Sequence, residues 1–190
     1  MILIIDNYDS FTYNLVQYVG SIHSDIKIIK NDALSIREIK TMKLSHIIIS
    51  PGPGKPQNTG ICLDIINQLS PNIPTLGICL GHQAIAYHYN AKIITSQNIV
   101  HGKTSKIIYS NQSILFNNIP NNFFATRYHS LCVDRKFQNK DIIITSWSDD
   151  GEIMSLEHNK YPIYGIQFHP ESILTEYGMK IMKNFINIVT

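Results

Sequence analysis

Residues 74–89 read PTLGICLGHQAIAYHY, and the order of residue types in this stretch decides the fold. Pro74–Ile78 is a short apolar run of the kind that makes a buried strand. Gly77 and Gly81 then bracket Cys79 as G-x-C-x-G, and His82–Tyr89 carries helix-compatible spacing. Strand, tight turn and helix in that order form a nucleophile elbow, with sulfur in place of oxygen. The glycines let the chain turn sharply, so Cys79 can sit in a strained conformation at the strand's carboxyl end. The pentapeptide by itself fits a small buried cysteine at a turn better than a nucleophile, since short motifs match by chance. The strand before it and the helix after it supply the context an elbow needs. In that context the helix's positive end favours a thiolate, and the Leu80 amide points where an oxyanion would form.

Outward from this elbow, Ile2–Ile5, Ile26–Ile29 and His46–Ser50 also read as buried strands. Thr12–Val19, Ser35–Lys40 and Ile61–Leu69 lie between them with helical spacing. Such alternation predicts an α/β fold with a mostly parallel central sheet and helices on both faces. The second half changes character. Ser105–Tyr109, Phe123–Arg127, Ile142–Trp147, Ile153–Glu157 and Ile163–Phe168 are β-prone runs parted by Asn, Asp and Gly turns. They predict an antiparallel extension of the same sheet plus a side hairpin, with Tyr177–Val189 as a closing amphipathic helix. No linker, repeat or low-complexity tract interrupts the chain, so one domain over residues 1–190 is expected.

Composition excludes several classes. The 190 residues are 44% hydrophobic and 16% charged, ordinary values for a folded soluble protein. A formal net charge of +2, with Lys and Arg scattered, argues against nucleic acid. No window approaches the roughly 18 apolar residues of a membrane span. Met1 opens directly into the first strand, so no signal or transit segment is expected. The three cysteines, Cys62, Cys79 and Cys132, are odd in number and form no CxxC pair, against a disulfide framework or thiolate zinc site. A reducing compartment is the simplest expectation. Abundant Ile, Asn and Lys with scarce Ala hint at an AT-rich genome, such as that of an organelle, symbiont or parasite. The expected location is therefore cytoplasmic, or plastid stroma for an organelle-encoded chain.

Two more segments carry chemistry. In Gln167-Phe168-His169-Pro170-Glu171, proline biases His169 toward extended geometry, and residues two apart on an extended chain face the same way. His169 and Glu171 can then serve one site, the imidazole as base and the carboxylate as its orienter. Ser50-Pro51-Gly52-Pro53-Gly54 follows a strand and can present backbone amides to developing negative charge, or be a plain surface turn. It is not a P-loop, because Pro56 follows Lys55 and the upstream glycine is missing. His169-Pro170-Glu171 fits the H-x-E of zinc deaminases, but the partner P-C-x-x-C is absent.

S-P-G-P-G at 50–54, G-I-C-L-G at 77–81 and H-P-E at 169–171 together resemble the class I, triad-type glutamine amidotransferases. I-D-N-Y-D-S-F-T-Y-N-L at 5–15, H-G-K at 101–103 and R-Y-H-S-L at 127–131 narrow the likeness to two glutaminase subunits: component II of anthranilate synthase and its counterpart in aminodeoxychorismate synthase. The resemblance spans the whole chain. It implies a flavodoxin-like sheet and a Cys79–His169–Glu171 triad working through a γ-glutamyl thioester. It further implies oxyanion amides from Gly54 and Leu80, and glutamine binding by Gly52, Pro53, Gly54, Gln83, Ser130 and Leu131. It implies no cofactor and no metal in this chain. The implied partner is a larger chorismate-binding synthase subunit, which receives the ammonia. Gly54 leans toward the anthranilate branch, because some folate-branch relatives carry Cys there. A regulatory homologue without activity is disfavoured by the intact Cys79, His169 and Glu171. A stand-alone hydrolase is disfavoured by the N-Y-D-S-F-T-Y-N segment.

Overall fold

The computed structural model describes residues 1–109 and 113–189. The first half alternates as predicted: β1 (Ile2–Asp6), α1 (Thr12–Gly20), β2 (Ile26–Lys30), α2 (Ile36–Lys40), β3 (His46–Ile49), α3 (Cys62–Gln68), β4 (Thr75–Ile78) and α4 (Leu80–His88). Then come β5 (Ile93–Tyr109), β6 (Phe123–Val133), β7 (Ile142–Ser148), β8 (Ile153–His158), β9 (Ile163–Ile166) and α5 (Gly178–Ile186). Among the described residues, nine strands form one sheet in the order β2-β1-β3-β4-β9-β8-β7-β5-β6. The pairings from β2 across to β9 are parallel, and those from β9 onward to β6 are antiparallel.

The apolar runs become strands because both faces of the parallel half are covered. In β1, Ile2 and Ile4 pack with Leu15 and Val19 of α1 and with Ile181, Met182 and Phe185 of α5. Leu3 and Ile5 point the other way, toward Ile39 of α2, Ile65 and Ile66 of α3, and Ile85 of α4. Each fully buried Ile or Leu contributes about 1.5–3 kcal/mol relative to exposure. The helices therefore sit on opposite faces and leave the strands' carboxyl ends open.

The structure corrects the sequence reading at four places. β2 lies at the sheet edge and is largely exposed, so Ile26–Ile29 is not a buried strand. The predicted side hairpin is absent as a separate unit among the described residues: β5 and β6 pair at the far edge of the same sheet. β5 also begins at Ile93, twelve residues before the predicted Ser105. Its first part lacks apolar alternation and is held by the ladder to β6, with irregularities between Thr95 and Val100 and between His101 and Lys103. Finally, α4 starts at Leu80 directly after the cysteine, two residues before the predicted His82.

Candidate active site

Four neighbouring parallel strands, β1, β3, β4 and β9, deliver their carboxyl ends to one edge. That is where open α/β sheets bind ligands. Asn7 follows β1, the Ser50–Gly54 loop follows β3, Cys79 follows β4, and Gln167–Glu171 follows β9. Sheet order thus gathers segments that lie far apart in the chain.

Cys79 adopts φ 51 and ψ −100, a region non-glycine residues rarely occupy, and α4 starts at the next residue. Its amide donates to the Ile166 carbonyl at 2.8 Å, tying β4 to β9 at the turn. The flanking glycines are dictated by close approach. A Cβ on Gly77 would lie 2.4 Å from the Gly81 carbonyl, and one on Gly81 would lie 2.4 Å from the Ile49 carbonyl. The Leu80 amide is the first of α4, where helical amides have no intrahelical acceptor.

His169 is anchored by its backbone: its amide donates to Thr126 O at 3.0 Å, and its carbonyl accepts from Thr175 Oγ1 at 2.6 Å. Glu171 Oε1 lies 2.7 Å from His169 Nδ1. Nε2 is the ring nitrogen left to face Cys79. It is buried and closes no hydrogen bond among the described residues. Burial pulls the imidazole's pKa down, but Cys79 and Glu171 on its two sides outweigh this and hold it well above the ordinary histidine value. The sulfur sits beside Nε2 without completing hydrogen-bond geometry. Such contacts commonly tighten only when substrate binds.

The Ser50–Gly54 loop is clamped to the segment after β1. Asn7 donates its amide to Ser50 Oγ and its side-chain Nδ2 to Ser50 O, both at 2.9 Å. Gly52 lies flush against this clamp, since a Cβ there would be 2.6 Å from Asn7 O. A cavity of about 190 Å³ is lined by Gly52, Pro53, Gly54, Cys79, Leu80 and Gln83 on one side and by Tyr128–Leu131 on the other. It is smaller than a drug-sized site and suits a small polar molecule. The structure therefore brings every sequence-predicted binding residue to one cavity, and His169 lines the adjoining one beside Cys79.

The wall formed by β6 rests on a buried ion network. Fully buried Arg127 pairs with Glu152 and, at 3.1 Å, with Asp150, and its Nε donates to His129 Nε2 at 2.9 Å. Burial first and Arg127 second push His129 down to about 3, so the ring is neutral. Cys62 and Cys132 are pushed up to about 12, chiefly by burial. Among the described residues no group of three or more His, Cys, Asp or Glu is placed to hold a metal ion.

The sequence motifs by themselves assign no role to Tyr128 or Gln167. The Tyr128 ring stands edge-on to His169, with centroids 5.1 Å apart, and also contacts His101 and Phe11. Its position inside R-Y-H-S-L, opposite His101 of H-G-K, was the available signal. Gln167 directly precedes the Phe168-His169 pair and reaches the sulfur at 3.5 Å.

A strained cysteine at a strand–helix elbow, facing a carboxylate-oriented histidine, is the arrangement that acyl transfer through sulfur requires. The chain belongs to the class-I glutamine amidotransferases: that family's model matches residues 3–189. It is 50% identical over 187 residues to "Anthranilate synthase component 2" of Pyropia yezoensis, covering 98% of each chain. It is 49% identical over 189 residues to the "Bifunctional protein TrpGD" of Thermotoga maritima, covering 98% of this chain but only 32% of that longer protein. "Aminodeoxychorismate/anthranilate synthase component 2" of Bacillus subtilis is 44% identical over 186 residues, 98% of this chain and 95% of the relative. Among solved structures, a putative GMP synthase subunit from Thermoplasma acidophilum superposes with TM-score 0.82 at 26% identity, covering 97% of this chain and 91% of that one.

Proposed function

We propose that this chain is the glutaminase subunit of an anthranilate synthase, releasing ammonia from glutamine for a larger chorismate-aminating subunit. The observation that carries this reading is Cys79 at the elbow facing a histidine whose other nitrogen is bonded to Glu171. The Cys79 sulfur, its proton passed to His169, attacks the glutamine side-chain carbonyl carbon, and one C=O electron pair moves to oxygen, which the Leu80 and Gly54 amides receive. The tetrahedral species collapses, and the C–N bond breaks as His169 gives its proton to nitrogen, so ammonia leaves and a γ-glutamyl thioester remains. Water then attacks the thioester with His169 as base, and sulfur departs to give glutamate. The raised proton affinity of His169 suits the donor role, and Glu171 fixes the ring for both steps.

A partner subunit is supported by the names of the relatives and by the site's rim. Phe11, Tyr13, Ile173 and Leu174 are exposed apolar side chains, and Phe11 and Ile173 line a cavity next to His169. Clustered exposed apolar surface of this kind fits a protein contact. No helix among the described residues is long and apolar enough to cross a membrane. A reducing aqueous compartment, cytosol or plastid stroma, fits both the three free cysteines and the AT-rich bias.

The folate branch is the second reading, favoured by the double name of the Bacillus subtilis relative. Co-purification of the complex, then assay with chorismate and glutamine, tests both. Anthranilate as the product supports the first reading, and aminodeoxychorismate replaces it with the second. Failure to hydrolyse glutamine in the complex overturns both.

A further inference from the structure

The geometry points to Gln167 as a further catalytic residue, one whose side-chain amide donates a hydrogen bond to the reacting sulfur of Cys79. Gln167 is fully buried, its Nε2 is 3.5 Å from Cys79 Sγ, and its Oε1 is 3.0 Å from Gln83 Nε2. Oxygen and nitrogen of an amide are told apart by their partners, and here the partners leave one assignment. Arg127 can only donate, so His129 Nε2 must accept from it, and the one proton on the neutral ring sits on Nδ1. Nδ1 donates to the Leu131 carbonyl at 3.0 Å. The same carbonyl lies 2.8 Å from the Gln83 amide and can only accept, so the NH₂ of Gln83 faces it. The second N–H of that group points at Gln167 Oε1, which turns the NH₂ of Gln167 toward Cys79.

The consequence is chemical. Sulfur is a weak acceptor as a thiol and a much better one as a thiolate, because hydrogen bonds to charged groups are the stronger class. An N–H fixed on Sγ therefore stabilises the attacking form and the sulfur as it leaves the thioester. Gln83, Leu131, His129 and Arg127 act through Gln167 as positioning residues, holding its amide in this orientation.

This inference rests on Cys79 being the nucleophile, and alkylation separates the two. The full-length chain and its Gln167→Met variant, which keeps the length and loses the donor, are labelled with iodoacetamide across a pH series. The readout is modification at Cys79, with Cys62 and Cys132 as slow internal controls. The midpoint of the Cys79 profile should rise by about one pH unit in the variant. In the complex, kcat for glutamine should fall about tenfold with KM little changed. Gln167→Asn, which keeps an amide but withdraws it from the sulfur, serves if the methionine variant does not fold, and it should shift the profile the same way. An unmoved midpoint overturns the inference even where the rate falls, because a merely structural Gln167 would alter stability and not the pH profile. A wild-type Cys79 no more reactive than Cys62 overturns the nucleophile assignment itself.

Discussion

The elbow at Cys79 and the wall formed by β6 border the same cavity, yet they are held by opposite means. Around the elbow, backbone meets backbone: Gly77 against Gly81, Gly81 against Ile49, and apolar strands buried on both faces. The wall hangs on polar contacts instead, with Arg127 joining Glu152, Asp150, Ser105 and His129 beneath Ser130 and Leu131. Close packing fixes a reacting atom because it tolerates no displacement. An ion network fixes a binding surface in a way that depends on charge, and therefore on pH and on each partner.

Four perturbations break or sharpen this contrast, beginning with the largest. Cys79→Ser should cost the complex on the order of 10⁴-fold or more in glutamine-dependent turnover while ammonia-dependent turnover persists, because free ammonia bypasses the elbow. Steady-state assays with each nitrogen source check it, and near-normal glutamine turnover would remove the elbow from the chemistry. Arg127→Met should destabilise the fold by about 3–5 kcal/mol in urea unfolding, since Glu152 is left as a buried charge without its partner. A change within error would mean the wall does not depend on the network. Gly81→Ala should cost about 1–3 kcal/mol by the same measurement, the expected penalty for forcing a methyl onto the Ile49 carbonyl. Tolerance there would show that the elbow is looser than its contacts.

The smallest change at neutral pH is predicted for His129→Gln, and it should become visible only in acid. The folded ring is held near 3 while an unfolded histidine titrates near 6.5, so the unfolded chain takes up the proton first. Stability from neutral His129 is then complete above about pH 6.5 and is lost as pH falls toward 3. The variant should lose less stability than wild type across that window in pH-dependent thermal unfolding. Parallel pH curves would show that His129 does not couple the wall to protons.

The same contrast explains what could be read from the sequence. The elbow, the parallel strands and the helices that cover them were legible because burial on two faces writes unbroken apolar runs into the chain. Ile2–Ile5 and Pro74–Ile78 show this directly. Ile26–Ile29 carries a similar run, yet β2 is an edge strand, and a run alone does not state how many neighbours cover it. Residues 93–104 gave no strand signal, because their order comes from pairing with β6 and not from an apolar face. Cys79, His169 and Glu171 stood out through glycine, proline and spacing of two. Gln167 carried no such mark: its role is a matter of which way an amide points, and that depends on Gln83, Leu131 and Arg127, remote in sequence.

Because β4 and β9 lie side by side, the chain between α4 and β9 leaves the reaction centre and returns to it as one excursion. Cys79 and His169 follow two paired strands, and the detour adds one tie of its own where the His169 amide meets the Thr126 carbonyl. The detour's outer turns, away from Thr126 and the Arg127–Leu131 segment, can be lengthened or exchanged without moving the cysteine or the histidine, whereas changes within that segment reach both.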